Sequence, residues 1–167
     1  ISILVDVSPS TNNNKRIQSA TTTLANIIET KIKNGDMLSL DCFASDHDIV
    51  MPLTKINSNN RQVFMDAVYA LNFKCTKGIT HFYKALLELG HNIAKANKKK
   101  PALVFALTDG EDNEYKTTQK EVKNFYKNNN IQLLIITIGV GSGTKLKILE
   151  LVEKPEFVIA AASDDQS

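Results

Sequence analysis

The chain has 167 residues, 43% of them hydrophobic and 23% charged, with a formal net charge of +2. These values suit one globular domain and carry no basic excess or aromatic-studded basic stretch, so nucleic acid is not an expected partner. The longest apolar runs, such as Leu133 to Ile138, are strand-sized and too short to span a bilayer, so no membrane insertion is expected. Taken in chain order, Ile1 to Asp6 reads as a buried strand, and Ile17, Leu24, Ile27, Ile28 and Ile32 recur at helical spacing from about Lys15 to Lys33. Asn34-Gly35 stops that helix, with Lys31 and Lys33 placed where they favour the negative end of its dipole. Met37 to Phe43 is the second strand, Asp46-His47-Asp48 a turn, and Ile49 to Leu53 a short third strand; so short a connection makes the two antiparallel neighbours.

A short helix follows over Arg61 to Leu71, then an irregular segment around Lys74 to Gly78 and a longer helix from His81 to Ala96. Ala102 to Thr108 is an almost unbroken apolar strand, Thr117 to Tyr126 a helix, Ile131 to Ile138 another buried strand, Lys145 to Val152 a short helix and Phe157 to Ala161 the last strand. Strands alternating with helices in this way imply an α/β, Rossmann-like, doubly wound sheet of six mostly parallel strands, one of them antiparallel near the edge, with helices on both faces. In such sheets ligands bind beyond the carboxyl ends of the strands, at the topological switch point. The loops after Asp6, Phe43, Thr108 and Ile138 are therefore the ones to inspect.

Three of the chain's segments carry oxygen ligands to that edge. They are Asp6-Val7-Ser8-Pro9-Ser10 after the first strand, Gly78-Ile79-Thr80 ahead of the central helix, and Thr108-Asp109-Gly110-Glu111-Asp112-Asn113 after the fourth strand. Carboxylates and hydroxyls without sulfur or imidazole suit a hard divalent cation, Mg²⁺ first, with Mn²⁺ or Ca²⁺ as alternatives, and disfavour zinc. Ser8, Ser10 and Thr80 can coordinate as neutral oxygens, while Asp6 and Asp109 bind directly or hold waters. Such an ion, only partly neutralised, attracts a carboxylate from outside.

This arrangement resembles the metal-ion-dependent adhesion site of von Willebrand factor A domains. Asp-x-Ser-x-Ser, Gly-x-Thr and Thr-Asp-Gly stand in the family's order and at the family's element boundaries, and the resemblance covers almost the whole chain. It implies metal ligation by Asp6, Ser8, Ser10, Thr80 and Asp109, and a rim of Pro9, Thr11, His81, Gly110, Glu111 and Asp112 facing a protein partner that offers an Asp or Glu. Pro9 stands where the family often has glycine; it fixes φ and lacks an N–H but removes no ligand oxygen. The chain opens inside an apolar run and stops at Ser167, where the family usually continues into a final helix. It is therefore expected to be a single domain of this type excerpted from a longer protein, monomeric in isolation.

Other features read as structural. Two cysteines, Cys42 and Cys75, form no disulfide framework and the chain has no Asn-x-Ser/Thr acceptor, which leans towards an intracellular setting. Glu111, Asp112 and Glu114 read as a solvated acidic rim. The run Lys98 to Lys100 lies at the end of the sheet away from the ion. Gly139 to Lys145 lies between a strand and a helix but lacks the spacing of a phosphate loop. No catalytic residue stands out, so a binding module is expected rather than an enzyme. Two alternatives stay open: a metal-dependent phosphatase or phosphotransferase with Asp6 as nucleophile, in which Ser8 stands where the second Asp would be, and a scaffold whose ion plays no part in binding.

Overall fold

A computed structural model describes residues 1–12, 16–74, 78–97, 100–109, 117–138 and 158–161. The elements are β1 (Ser2–Asp6), α1 (Pro9–Asn12), α2 (Arg16–Thr30), β2 (Met37–Phe43), β3 (His47–Lys55), α3 (Arg61–Ala70), α4 (Phe82–Asn97), β4 (Ala102–Thr108), α5 (Gln119–Asn128), β5 (Ile131–Ile138) and β6 (Val158–Ala161). A 3₁₀ turn, Leu71–Phe73, ends α3. The six strands form one sheet in the order β3-β2-β1-β4-β5-β6. Among the described residues only the β2–β3 pair is antiparallel; β1 runs parallel to β2 and to β4, β4 to β5, and β5 to β6. The expected α/β sheet is thus present, with its antiparallel strand at the edge itself.

Alternation along the strands builds two cores, one on each face. Ile3, Val5 and Val7 of β1 and its end, with Leu38, Leu40 and Cys42 of β2, pack against Ile17, Leu24 and Ile28 of α2 and Phe64 and Val68 of α3. Leu4, Phe43, Val104, Ala106, Leu133 and Ile135 point the other way, onto Phe82, Leu86 and Leu89 of α4 and Val122 and Tyr126 of α5. A side-chain period of two along a strand sends neighbours to opposite faces, so β1 needs continuous apolar sequence to be covered on both.

Several boundaries differ from expectation for physical reasons. Pro9 starts helical structure earlier than the apolar spacing signals; proline is suited to a first helical position because the N–H it lacks has no intrahelical partner there. The helix α2 ends at Thr30, before Lys31 and Lys33. Its C-terminal carbonyls are served instead by Arg61, whose Nη1 donates to the carbonyls of Ile28 and Ile32 (2.7 Å to the latter) while Nη2 donates to Asn34 Oδ1 at 3.0 Å. The helix α5 starts two residues late because Thr118 is its N-cap, in a reciprocal capping box with Glu121.

The turn assigned to Asp46-His47-Asp48 is corrected. The bend occupies residues 44–46, and β3 already begins at His47. His47 turns inward, where its Nε2 donates to Asp41 Oδ1 at 3.0 Å. A serine chain completes the surroundings of Asp41: Ser39 Oγ lies 3.3 Å from Asp41 Oδ2 and donates to Ser2 Oγ at 2.8 Å. A buried carboxylate in β2 therefore recruits the histidine that the local sequence would leave in a solvent turn.

Candidate functional site

The strand order reverses between β1 and β4, which are parallel neighbours with β2 on the far side of one and β5 on the far side of the other. Asp6 is the last residue of β1, and Asp109 directly follows β4. The two carboxylates that the sequence places 103 positions apart are thereby delivered to the same edge of the sheet, at the switch point. Both are buried, Asp6 at 0% and Asp109 at 6% exposure.

Asp6 is held at both oxygens. The Ser8 backbone N–H donates to Oδ1 at 2.9 Å, and the Thr108 hydroxyl donates to Oδ2 at 2.8 Å. Removal from water pushes the Asp6 carboxyl up to about 6, and the Asp109 charge adds to this; the bonds from Ser8 and Thr108 pull the other way. The effect of Asp109 on Asp6 means that the pair shares one electrostatic environment. Two carboxylates close together in a low dielectric cannot both ionise comfortably without a positive charge.

Hydroxyls complete the surroundings of Asp6. Ser8 Oγ lies 3.1 Å from Ser10 Oγ and 3.3 Å from Thr11 Oγ1. Ser8 and Thr11 are fully buried. Thr11, expected on the partner-facing rim, is instead a buried member of this hydroxyl cluster, whereas Pro9 and Ser10 are part-exposed. The loop bearing Thr80 comes to the same edge from α3. The Thr21 hydroxyl in α2 donates to Asn72 Oδ1 at 3.0 Å, a Cβ at Gly78 would stand 3.4 Å from Ser45 Cβ, and the His81 N–H donates to the Ala44 carbonyl at 2.9 Å. Gly78 has φ +123°, a conformation open to glycine and strained for other residues. Thr80 ends up buried, and Phe82 after it stacks at 5.5 Å on Phe43, the last residue of β2. The His81 ring donates from Nδ1 to the Ser45 carbonyl at 2.8 Å, which ties it to the β2–β3 bend.

The donor chemistry fits a hard cation. Among the described residues no group of three His, Cys, Asp or Glu converges; the donors gathered at the switch point are two carboxylates and several hydroxyls. Such a set is poor for zinc and suited to Mg²⁺ or Mn²⁺, which accept neutral oxygens and waters. Gly110, Glu111, Asp112 and Glu114 lie outside the described residues, as do Cys75, Lys98, Lys99, the Gly139 to Lys145 segment and the helix expected over Lys145 to Val152. Two residues act here in roles that the sequence did not show, Thr108 although it opens the Thr-Asp-Gly motif. Thr108 is a strand residue whose hydroxyl serves Asp6. Arg16, the first residue of α2, places Nη1 3.8 Å from Asp109 Oδ2.

Residues 1–111 match the family model of the von Willebrand factor type A domain. No curated protein matches the chain. Among solved structures, the manganese-loaded TRAP protein of Plasmodium vivax is similar at a TM-score of 0.75 and 25% identity, over 96% of this chain and 66% of that one. Proximal thread matrix protein 1 from the mussel byssus, with a zinc-occupied MIDAS motif, gives a TM-score of 0.75 at 17% identity, over 97% of this chain and 43% of its own. A von Willebrand factor type A protein from Catenulispora acidiphila gives 0.71 at 19% identity, over 81% of this chain. This chain spans only 32% of the length of that protein.

Proposed function

The chain belongs to the von Willebrand factor type A family, and from that membership we propose that it binds a divalent cation at the switch point and uses the ion to capture a carboxylate of a protein partner. Domains of this family are adhesion and protein-interaction modules. The observation that carries the metal reading is the buried pair Asp6 and Asp109, whose mutual repulsion a dication would relieve. Ser8, Ser10 and Thr80 would supply neutral oxygens beside it. An ion held by so few charges stays electrophilic, and an Asp or Glu from outside completes its shell. Manganese in the TRAP structure and zinc in the mussel protein support a divalent ion here; the all-oxygen donors favour Mg²⁺ or Mn²⁺.

Thermal unfolding in chelator and then in Mg²⁺ or Mn²⁺ tests the ion. At about a hundred times its dissociation constant an ion stabilises the native state by about 2.7 kcal/mol, a rise of roughly 5 to 11 °C in Tm for a domain of this size. The rise is expected in the wild type and absent in Asp6→Asn, which keeps an acceptor for the Ser8 N–H and removes the charge. No rise in the wild type at millimolar ion would refute the metal reading. Capture of immobilised Asp- or Glu-bearing peptides, lost with chelator and with the Asn or Gln counterparts, tests the second half.

A further inference from the structure

Arg16 lies in the helical stretch that follows the loop bearing Asp6, Ser8 and Ser10. Here its guanidinium faces Asp109, with Nη1 3.8 Å from Oδ2. The arginine side chain is 25% exposed and the aspartate side chain 3%, so one partner reaches water and the other does not.

We propose that Arg16 is a tethered counter-ion that neutralises Asp109 in the ion-free pocket, competes with the divalent cation for it, and so sets the affinity of the site. The proposal rests on the metal reading above and adds a residue to it. At 3.8 Å the contact is coulombic, longer than a hydrogen bond, and therefore easily exchanged. A dication arriving at the same buried carboxylate repels the guanidinium, and the long, part-exposed side chain can withdraw into water at little cost. Arg16 is thus a positioning residue: it holds Asp109 ready while the pocket lacks its ion, and each ion bound must displace it.

The test is a titration of the wild type, Arg16→Gln and Arg16→Lys with Mn²⁺ and with Mg²⁺ at constant ionic strength, read by calorimetry and by thermal unfolding. Arg16→Gln should bind the ion more tightly, by roughly two- to fivefold, the range expected for a part-exposed ion pair. Arg16→Lys, which keeps the positive charge, should stay near the wild type. The Tm of ion-free Arg16→Gln should fall below that of the wild type, while the ion-saturated Tm values coincide. A merely structural arginine would lower both equally, and that outcome overturns the proposal. So does unchanged or weaker ion binding by Arg16→Gln when the wild type binds. If the wild type binds neither cation at millimolar concentration, the metal reading itself falls and takes this proposal with it.

Discussion

At residue scale the site turns on the cost of keeping Asp6 ionised away from water. Its folded-state pKa of about 6 exceeds the ordinary 3.8, so between those values the folded state holds a proton that the unfolded chain has released. The contribution of Asp6 to the ion-free domain is therefore fully present below about pH 4 and is lost as the pH rises through 6, a change on the order of 3 kcal/mol. We expect wild-type stability relative to Asp6→Asn to fall across pH 4 to 7 in chelator, measured by urea unfolding; a flat difference would contradict the burial argument. Saturating Mn²⁺ should flatten the slope, and ion affinity should weaken below pH 6 as protons compete for the carboxylate. The acidic residues were legible because aspartate at the end of an apolar strand, followed by paired serines, is a local pattern. The bond from Thr108 to Asp6 and the part played by Arg16 were not, because each acts on a carboxylate that is remote in sequence.

At the scale of elements, the helices are specified by their apolar faces but finished by contacts from outside. The helix α2 is legible from Ile17, Leu24 and Ile28, yet its C-terminus is served by Arg61 from the start of α3, a contact spanning 29 to 33 positions. Between α4 and α5 the decisive residue is Gly90. A Cβ there would stand 2.8 Å from a Tyr126 ring carbon and 3.2 Å from Phe125. The Tyr126 ring cannot easily retreat, since its hydroxyl donates to the Leu86 carbonyl at 2.7 Å and the side chain is buried. Gly→Ala inside a helix normally stabilises by about 1 kcal/mol, whereas overpacking costs about 1 to 3 kcal/mol. At this separation the clash wins. Gly90→Ala should therefore destabilise the domain by about 1 kcal/mol in urea unfolding, and the same change in a Tyr126→Leu background should be neutral or stabilising. A stabilising Gly90→Ala in the wild type would show that the helices can part without cost.

At the scale of the whole molecule the proposed ion would add the Thr80 loop to two strand ends that the Thr108–Asp6 hydrogen bond already joins. The ends of β1 and β4 are bonded to each other through Asp6 and Thr108, while the Gly78 to His81 loop is tied to the end of β2 through Ala44. A shared ion should make them open together. Amide exchange of residues 7–12, 78–81 and 108–109 should slow in concert when Mn²⁺ is added, with the middles of β1 and β4 unchanged. Protection confined to one segment would mean that the ion is held locally and not by all three.

The sequence by itself determined the α/β class, the strand order in the chain, the antiparallel third strand and the three motif-bearing loops. Each of those rests on a short-range pattern: strand-length apolar runs, helical spacing, and polar residues at element ends. Tertiary structure decided which side chains meet. It placed β1 beside β4 so that Asp6 and Asp109 share a low-dielectric pocket, buried Thr11 among the hydroxyls, turned His47 inward onto Asp41, and set Arg16 against Asp109. Contacts of that kind depend on distance through space and on exclusion of water, and neither is written in the spacing of residues along the chain.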